Sequence, residues 1–418
     1  MRSPKRSRQS TWRSATPPKE RVLVVGAGPV GLLTTLALAR GGVPVTIFEE
    51  EPALTTDLRA GSFHPPTLEC MAPFGITARM LETAIQVPRW QIRDREHPEW
   101  IAEFDLSLLA DVTPYPYRLH IEQHRLTPII FDILAREPNA EIRFGHRFTE
   151  LEQRHNVVRA TFVHDERPVT VEGAWLIGAD GGRSSVRKAA AIAFEGFTWP
   201  ERFFVMSTTH DFAQHGYAMN AYVADPDQFI AIFKMPDDGP PGIWRLLYPT
   251  DPNLSDETIA SADAIEAFLQ GFVSIPGRYP MKYSSFYRIH QRVAQTFRSG
   301  RVVLAGDAAH INNPLGAFGL NSGIHDAINL SEKLTAVMRG EADDDLIDRY
   351  VRQRRTATVD HVQAMSIRNK HLLEERDPAV RKERFAELQR VASTPALARD
   401  YLLNSSMIAS VRRAAAVA

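Results

Sequence analysis

From Arg21 the chain reads as a short apolar run, VLVV, then GAGPVG, then LLTTLALA, then a second short run, VTIF, that ends on Glu49. The outer runs are β-branched and too short for helices. The middle one is rich in Leu and Ala and long enough for a helix, so residues 21–50 predict strand, turn, helix, strand. The stretch 22–39 carries no charge, but its glycines, its proline and the second β-type run fit a buried strand and core helix better than a membrane span. Residues 51–100 are mixed and rich in Pro. Between 121 and 136, Leu126, Ile129, Ile130, Ile133 and Leu134 share one helical stripe, and 140–190 predict short strands ending at a Gly-rich turn. From about residue 200 to 250 the period changes to two, in FFVMSTT, YAMNAYVA, QFIAIFKM and IWRLLYP, with Pro and Gly clusters between them; this predicts an antiparallel sheet. Residues 256–272 return to helix, MKYSSFYRIH reads as a strand, GRVVLAGDAAH as a buried strand entering a turn, and the chain from Asn321 onward as almost wholly helical. The succession predicts a discontinuous α/β domain, 21–194 and 291–370, with a β-rich domain inserted at 195–290 and C-terminal helices over 371–418.

Composition narrows the function classes. The 418 residues include 49 Lys and Arg against 50 Asp and Glu, a net charge of −1, so there is no electrostatic case for nucleic acid or an anionic membrane surface. The single cysteine, Cys70, excludes an intrachain disulfide and a multi-cysteine metal site, and no metal is expected. Residues 1–20 are basic, Ser-rich and broken by prolines, with no apolar run behind them; the expectation is a solvated leader rather than a secretory signal, and a cytoplasmic protein.

The first strand–turn–helix carries candidate chemistry. Gly26, Gly28 and Gly31 stand as G-x-G-x-x-G, with Pro29 and Val30 between the last two. Gly26 suits a tight turn, Gly28 a close approach of pyrophosphate to the backbone, and Gly31 close helix–strand packing. The helix N-terminus offers free N–H groups to a phosphate. Glu49 ends the second strand, where a carboxylate binds a ribose 2′-hydroxyl and repels a 2′-phosphate.

Downstream lie WLIGADGGRSSVRK and RVVLAGDAAHINNPLGAFGLNSGIHDAINL. The three segments, in this order and over about 21–370, resemble the FAD-dependent aromatic hydroxylases, the single-component flavoprotein monooxygenases similar to para-hydroxybenzoate hydroxylase. The resemblance implies a Rossmann-like FAD-binding domain with an inserted, mostly antiparallel β substrate domain and a C-terminal helical region. It assigns Gly26, Gly28, Gly31 and Glu49 to the ADP half of FAD. Asp180, in the Asp-Gly segment with Arg183 and Arg187, matches a motif linked to FAD and nicotinamide binding. Asp307, after Gly306, matches the acid that holds a ribityl hydroxyl, whereas His310 is expected to pack. The loop from Pro314 through Gly316, Gly319 and Leu320 to Asn321 resembles the wrap around the isoalloxazine, and a helix starting near Asn321 would aim about half a unit of positive charge at the flavin N1/O2 edge. Arg59 and Gln123 resemble flavin-contacting residues, and Arg125 could join the same edge. Asn313-Pro314 replaces the family's double Pro, and Ser331-Glu332-Lys333-Leu334 replaces its late Trp-Lys-Leu. A long thioredoxin-like C-terminal extension, as in the phenol-hydroxylase branch, is not expected. The charged segment HLLEERDPAVRKERFAELQR is expected on a surface or a subunit contact.

The implied activity is hydroxylation of a phenolic or related small aromatic with NAD(P)H and O₂, by way of a flavin C4a-hydroperoxide. NADH or NADPH would bind transiently, because the one dinucleotide fingerprint is taken by FAD. The protein would supply placement, a dry pocket and proton control. The β segments are expected to line that pocket through Tyr217, Tyr222, Trp244, Arg245 and Tyr248. His215, Tyr217, Tyr222 and Arg245 are the candidate catalytic residues, His215 as base and Arg245 as partner of a substrate carboxylate. Two alternatives stay open on sequence: a same-fold FAD oxidoreductase that epoxidises or reduces a non-aromatic compound, and a non-catalytic flavin-binding protein. Monomer and homodimer are equally compatible with the sequence.

Overall fold

The computed structural model describes residues 20–56 and 61–418. The charge-free run divides into a fully buried strand, Val22–Val25, and a helix, Pro29–Arg40. Both faces of this strand are covered, which is why it shows no polar alternation. It pairs in parallel with Val45–Phe48 on one side and Trp175–Gly178 on the other, Val22 lying opposite Val45 and Trp175. Ala140–Arg143 and Val302–Leu304 extend the two flanks, and Arg298–Ser299 adds an antiparallel edge, giving six strands. Because the chain leaves Val22–Val25 toward one flank and later returns on the other, the carboxyl end of this strand is the topological switch point. That is where an open α/β sheet leaves a crevice for a ligand.

The second large sheet has eight strands in the spatial order His310–Ile311, Met281–Ala294, Phe194–Thr208, Ile243–Pro249, Ile230–Met235, Asn220–Ala224, Arg89–Asp94, Ile101–Asp105. Three of these strands lie outside the interval 195–290 that the period-two pattern marks. The hairpin Arg89–Asp105 joins through a parallel pairing of Arg89–Asp94 with Asn220–Ala224, a long-range contact that neither segment announces locally.

Strand alternation gives this sheet two different faces. Trp244, Leu246 and Tyr248 point to a core with Phe212 and Leu269, closed by the helix Ala262–Phe272. Leu247 points the other way, to a core with Trp90, Tyr222, Leu315, Leu373, Phe385 and Leu402. The second core is completed by C-terminal helices. The charged segment 371–390 is therefore not a free surface helix: it breaks after Leu373 and restarts at Pro378. Buried Arg381 reaches Asp94 and Glu96 on the outer hairpin, at 2.5 Å each, and Phe385 is 1% exposed. Among the described residues no helix is long and apolar enough to cross a membrane.

The helix Phe318–Met338 crosses behind the first sheet and carries Asp326, which has no exposure. This carboxylate accepts from the Gly306 N–H at 2.9 Å, from His310 Nε2 at 2.7 Å and from Arg354 Nε at 2.6 Å. Burial pushes its pKa up, but His310 and Arg354 outweigh that and hold it at about 2. A buried ion pair broken on one side leaves an uncompensated charge. Asp326→Asn is therefore expected to cost about 3–5 kcal/mol in a denaturant titration at neutral pH. The folded pKa lies below the ordinary 3.8, so this stabilisation is complete above pH 4 and fades as pH falls toward 2. A loss below about 1 kcal/mol, or an unchanged acid limb, would show that the cluster does not hold the fold.

Candidate active site

Three turns meet at the crevice. Gly26 has φ +99°, and a Cβ there would sit 2.5 Å from the Ala179 carbonyl oxygen. A Cβ on Gly31 would come within 1.9 Å of the Gly26 oxygen, so this glycine is required by packing alone. Gly28 is different: a Cβ there meets nothing within 4 Å. Gly28 also begins the helix Pro29–Arg40, whose first turn has no side-chain cap. An open surface at an uncapped helix N-terminus fits a pyrophosphate. Glu49 is half-buried beside it and accepts from the Ala27 N–H at 2.6 Å and the Glu51 N–H at 3.0 Å, which fixes its carboxylate at the strand end. Val30 would clash with a Cβ on Gly306 at 2.9 Å or on Gly323 at 2.7 Å, so it keys the first turn to the second.

The second turn, Gly306–Ala308, leaves Asp307 exposed at the crevice between buried neighbours. Asp180, on the third, accepts from Ser184 Oγ at 2.5 Å, the Ser185 N–H at 2.7 Å and the Val186 N–H at 3.1 Å. Those bonds make it a cap of the helix Ser185–Ala189, and burial raises its pKa. Arg187 is buried and ties the turns together through the carbonyls of Ala308 (2.8 Å) and Gly182 (2.9 Å), whereas Arg183 is exposed.

The loop from Pro314 has its sharpest bend at Gly316, φ +107°, where a Cβ would lie 2.3 Å from the Phe318 ring. Ala317 at φ +60° begins the 21-residue helix Phe318–Met338 without a side-chain cap, three residues before the start that the sequence pattern predicts. Gly319 and Leu320, in its first turn, are partly exposed. The Asn321 side chain is fully committed: Nδ2 donates to the Ser62 and Ala317 carbonyls and Oδ1 accepts from the His64 N–H. Its side chain staples the loop, rather than facing a ligand. Two uncapped helix N-termini over one crevice fit a dinucleotide bearing a polar, anion-forming ring. Gln123 opens the helix Gln123–Leu134 and is partly buried. Arg125, two residues on, is held by Glu122 at 3.1 Å and Asp238 at 3.0 Å. Arg59 lies outside the described residues.

Against this loop is a cavity lined by Trp90, Ile92, Arg118, Tyr222, Gly316, Phe318, Asn369, Leu372, Leu373, Tyr401 and Ser405. Of the four candidate catalytic residues only Tyr222 lines it; its hydroxyl accepts from the Gly316 N–H at 3.3 Å. Arg245 shares the sheet face, opposite Phe233, and donates to the Tyr283 hydroxyl at 2.8 Å. His215 and Tyr217 are on the wrong side of the sheet. His215 Nε2 meets His210 Nε2 at 2.9 Å, and Tyr217 packs with Phe212 and Phe272 beneath the Arg93 guanidinium. Trp244 and Tyr248 face that side too. Aromatic content marks both faces alike; only pairing and curvature decide which one looks at the loop. His310, expected to pack, is buried on Asp326.

Sequence reading did not single out Arg118, Trp90, His64 or Tyr401. The one available signal was Arg118 itself, a charge in the short buried strand Arg118–His120. Tyr401 is brought in by a C-terminal helix that has no motif.

The profile described as "FAD binding domain" matches residues 19–365. The chain is 35% identical to para-nitrophenol 4-monooxygenase of Pseudomonas sp. (strain WBC-3) over 385 residues, 92% of this chain and 94% of that one. It is 34% identical over 345 residues to 6-hydroxy-3-succinoylpyridine 3-monooxygenase HspB of Pseudomonas putida (strain DSM 28022 / S16), covering 82% and 86%. The crystal structure of p-nitrophenol 4-monooxygenase PnpA from Pseudomonas putida DLL-E4 superposes with a TM-score of 0.87 at 32% identity, over 94% of this chain and 98% of that one. The flavin-dependent monooxygenase PieE, solved with FAD and substrate, gives a TM-score of 0.76 at 25% identity, over 93% and 72%. With the glycine turns, the paired helix N-termini and the cavity between loop and sheet, these matches place the chain in the family of FAD-dependent aromatic hydroxylases.

Proposed function

We propose that this aromatic hydroxylase acts on a single-ring phenol seated in the cavity that Tyr222 and Gly316 line together. The carrying observation is the contact from the Gly316 N–H to the Tyr222 hydroxyl, which couples the substrate cavity directly to the loop that would wrap the flavin. The relatives named for para-nitrophenol and for 6-hydroxy-3-succinoylpyridine support a one-ring substrate bearing a hydroxyl. Tyr401 and Phe318 support an aromatic substrate as well, because they add two aromatic walls to the cavity.

In this reading Gly26, Gly28, Pro29, Val30 and Gly31 hold the pyrophosphate through the helix N-terminus, and Glu49 holds the adenosine ribose. Asp307 takes a ribityl hydroxyl. The backbone of Pro314, Gly316, Gly319, Leu320 and Asn321, with the helix dipole behind it, takes the polar edge of the isoalloxazine. Gln123 flanks the same edge. Asp180 acts indirectly, by shaping the turn that Arg187 joins to Gly306–Ala308. Bound FAD supplies the redox chemistry that, with NAD(P)H and O₂, inserts one oxygen atom into the ring and releases the other as water. The protein's part is to exclude water with the apolar walls, to fix the ring through Trp90 and Phe318, and to hold the substrate hydroxyl at Tyr222. Removing that hydroxyl's proton makes the ring carbon a better nucleophile, and the Tyr222 hydroxyl is placed to donate to the oxygen left behind.

Three measurements check this. Wild type should consume NAD(P)H faster with phenols present and yield a matched hydroxylated product; consumption with no product from any single-ring phenol would overturn the reading. Tyr222→Phe should lower kcat by about a hundredfold with FAD content intact. Gly28→Val should leave the melting temperature of the flavin-free protein nearly unchanged yet weaken FAD binding at least about tenfold, while Gly31→Ala destabilises the fold itself; Asp307→Ala should weaken FAD retention in the same assay.

A further inference from the structure

Arg118 is 2% exposed and is among the largest fully buried side chains. Two other deeply buried arginines are answered by acids: Arg354 by Asp326, Arg381 by Asp94 and Glu96. Arg187 has Asp180 nearby. Arg118 has no acidic partner among the described residues. Its Nη1 donates to Asn220 Oδ1 at 2.6 Å, its guanidinium lies 4.6 Å from the Trp90 ring centre, and the remaining groups that face it are the hydroxyls of Tyr222 and Tyr401.

The titratable neighbours do not supply a negative charge. His64 is pushed well down, by burial first and then by Arg118. His120 is lowered to about 4, chiefly by burial, with Arg118 contributing. Tyr401 is raised to about 12 by burial. These two histidines are neutral at working pH, and the Tyr401 hydroxyl keeps its proton. Three N–H donors here, Arg118 Nε, Trp90 Nε1 and Asn220 Nδ2, have no acceptor among the described residues. A buried charge and a set of unanswered donors are costly to keep unless something pairs with them. Arg118 and Trp90 both line the cavity, so that partner enters through the substrate site.

Resting on the reading of the site as a phenol pocket, we infer that Arg118 is its anion-recognising residue: the substrate is bound as the phenolate, its oxygen held by the Arg118 side chain and the Tyr222 hydroxyl. The Tyr222 oxygen already accepts from Gly316, which leaves its O–H hydrogen for that phenolate. The chain would then select phenols made acidic by an electron-withdrawing substituent, because these arrive already ionised. A ring carboxylate presents the same anionic oxygen chemistry, and the test separates the two.

The probe is 4-nitrophenol, whose phenolate is yellow and whose neutral form is not, read as a difference spectrum against the FAD-loaded enzyme over a pH series. In wild type the bound phenol should ionise about 1–2 pH units below the free compound. Arg118→Met should abolish that shift and raise KM about a hundredfold at neutral pH, and Arg118→Lys should restore the shift in part. If Arg118→Met does not retain FAD, the wild-type titration decides alone. An unshifted or raised ionisation in wild type, binding by Arg118→Met within about threefold of wild type, or tighter binding of 4-nitrobenzoate than of 4-nitrophenol at pH 6 would each overturn the inference. Failure of every phenol to stimulate NAD(P)H oxidation in wild type would instead strike the proposed function, and the colour titration would still report whether the cavity binds an anion.

Discussion

The buried carboxylate of Asp326 is the interaction on which the site depends. It takes the Gly306 N–H, His310 and Arg354 into one cluster with no solvent access. Those groups come from a turn, a short strand of the second sheet and a C-terminal helix. A charge so buried tolerates little displacement, because each lost partner leaves an uncompensated group in a low-dielectric interior. The turn that carries Asp307 is thereby fixed beside the glycine turn, and Val30 packing on Gly306 and Gly323 leaves no slack between them. The groups that face the crevice at these turns are mostly backbone, so the precision of the crevice comes from such clamps behind it.

The cavity is made by a different device. One sheet with period-two strands offers two faces, and each strand contributes alternate residues to each. On Asn220–Ala224, Tyr222 faces the loop while Ala221 and Val223 face the opposite core. The loop is held at the cavity by the His64 Nε2 contact to the Gly316 carbonyl (2.8 Å) and by Asn321. The remaining walls come from the last helices, anchored through Arg381 to Asp94 and Glu96. Charged residues that look superficial in the sequence thus help wall a largely apolar chamber, and among the described residues Arg118 lines it without an acid.

The parts of this protein that are legible in the sequence are those whose physical cause is local. Gly26, Gly28 and Gly31 announce a turn because backbone approach and positive φ are needed within a few residues, and Glu49 follows at the end of a strand that must be parallel to the first. The turns at Gly316 and Asp307 are readable for the same reason, and family resemblance adds the roles proposed for them. The period-two stretch correctly signalled a sheet, and Tyr222 was among its named residues.

Which face of that sheet meets the loop is not a local property. His215, Tyr217, Trp244 and Tyr248 had the same chemistry as a pocket wall, but strand pairing and the covering helix Ala262–Phe272 turned them to the opposite core. The hairpin at 89–105 and the helix bearing Tyr401 reach the cavity only through contacts spanning hundreds of residues. Thus the local pattern alone determined the strand–turn–helix units and the glycine-shaped turn at the helix N-terminus. Only the tertiary structure decided the composition of the cavity and left Arg118 buried without a counter-charge among the described residues, because facing, burial and charge compensation exist only once distant segments are packed against one another.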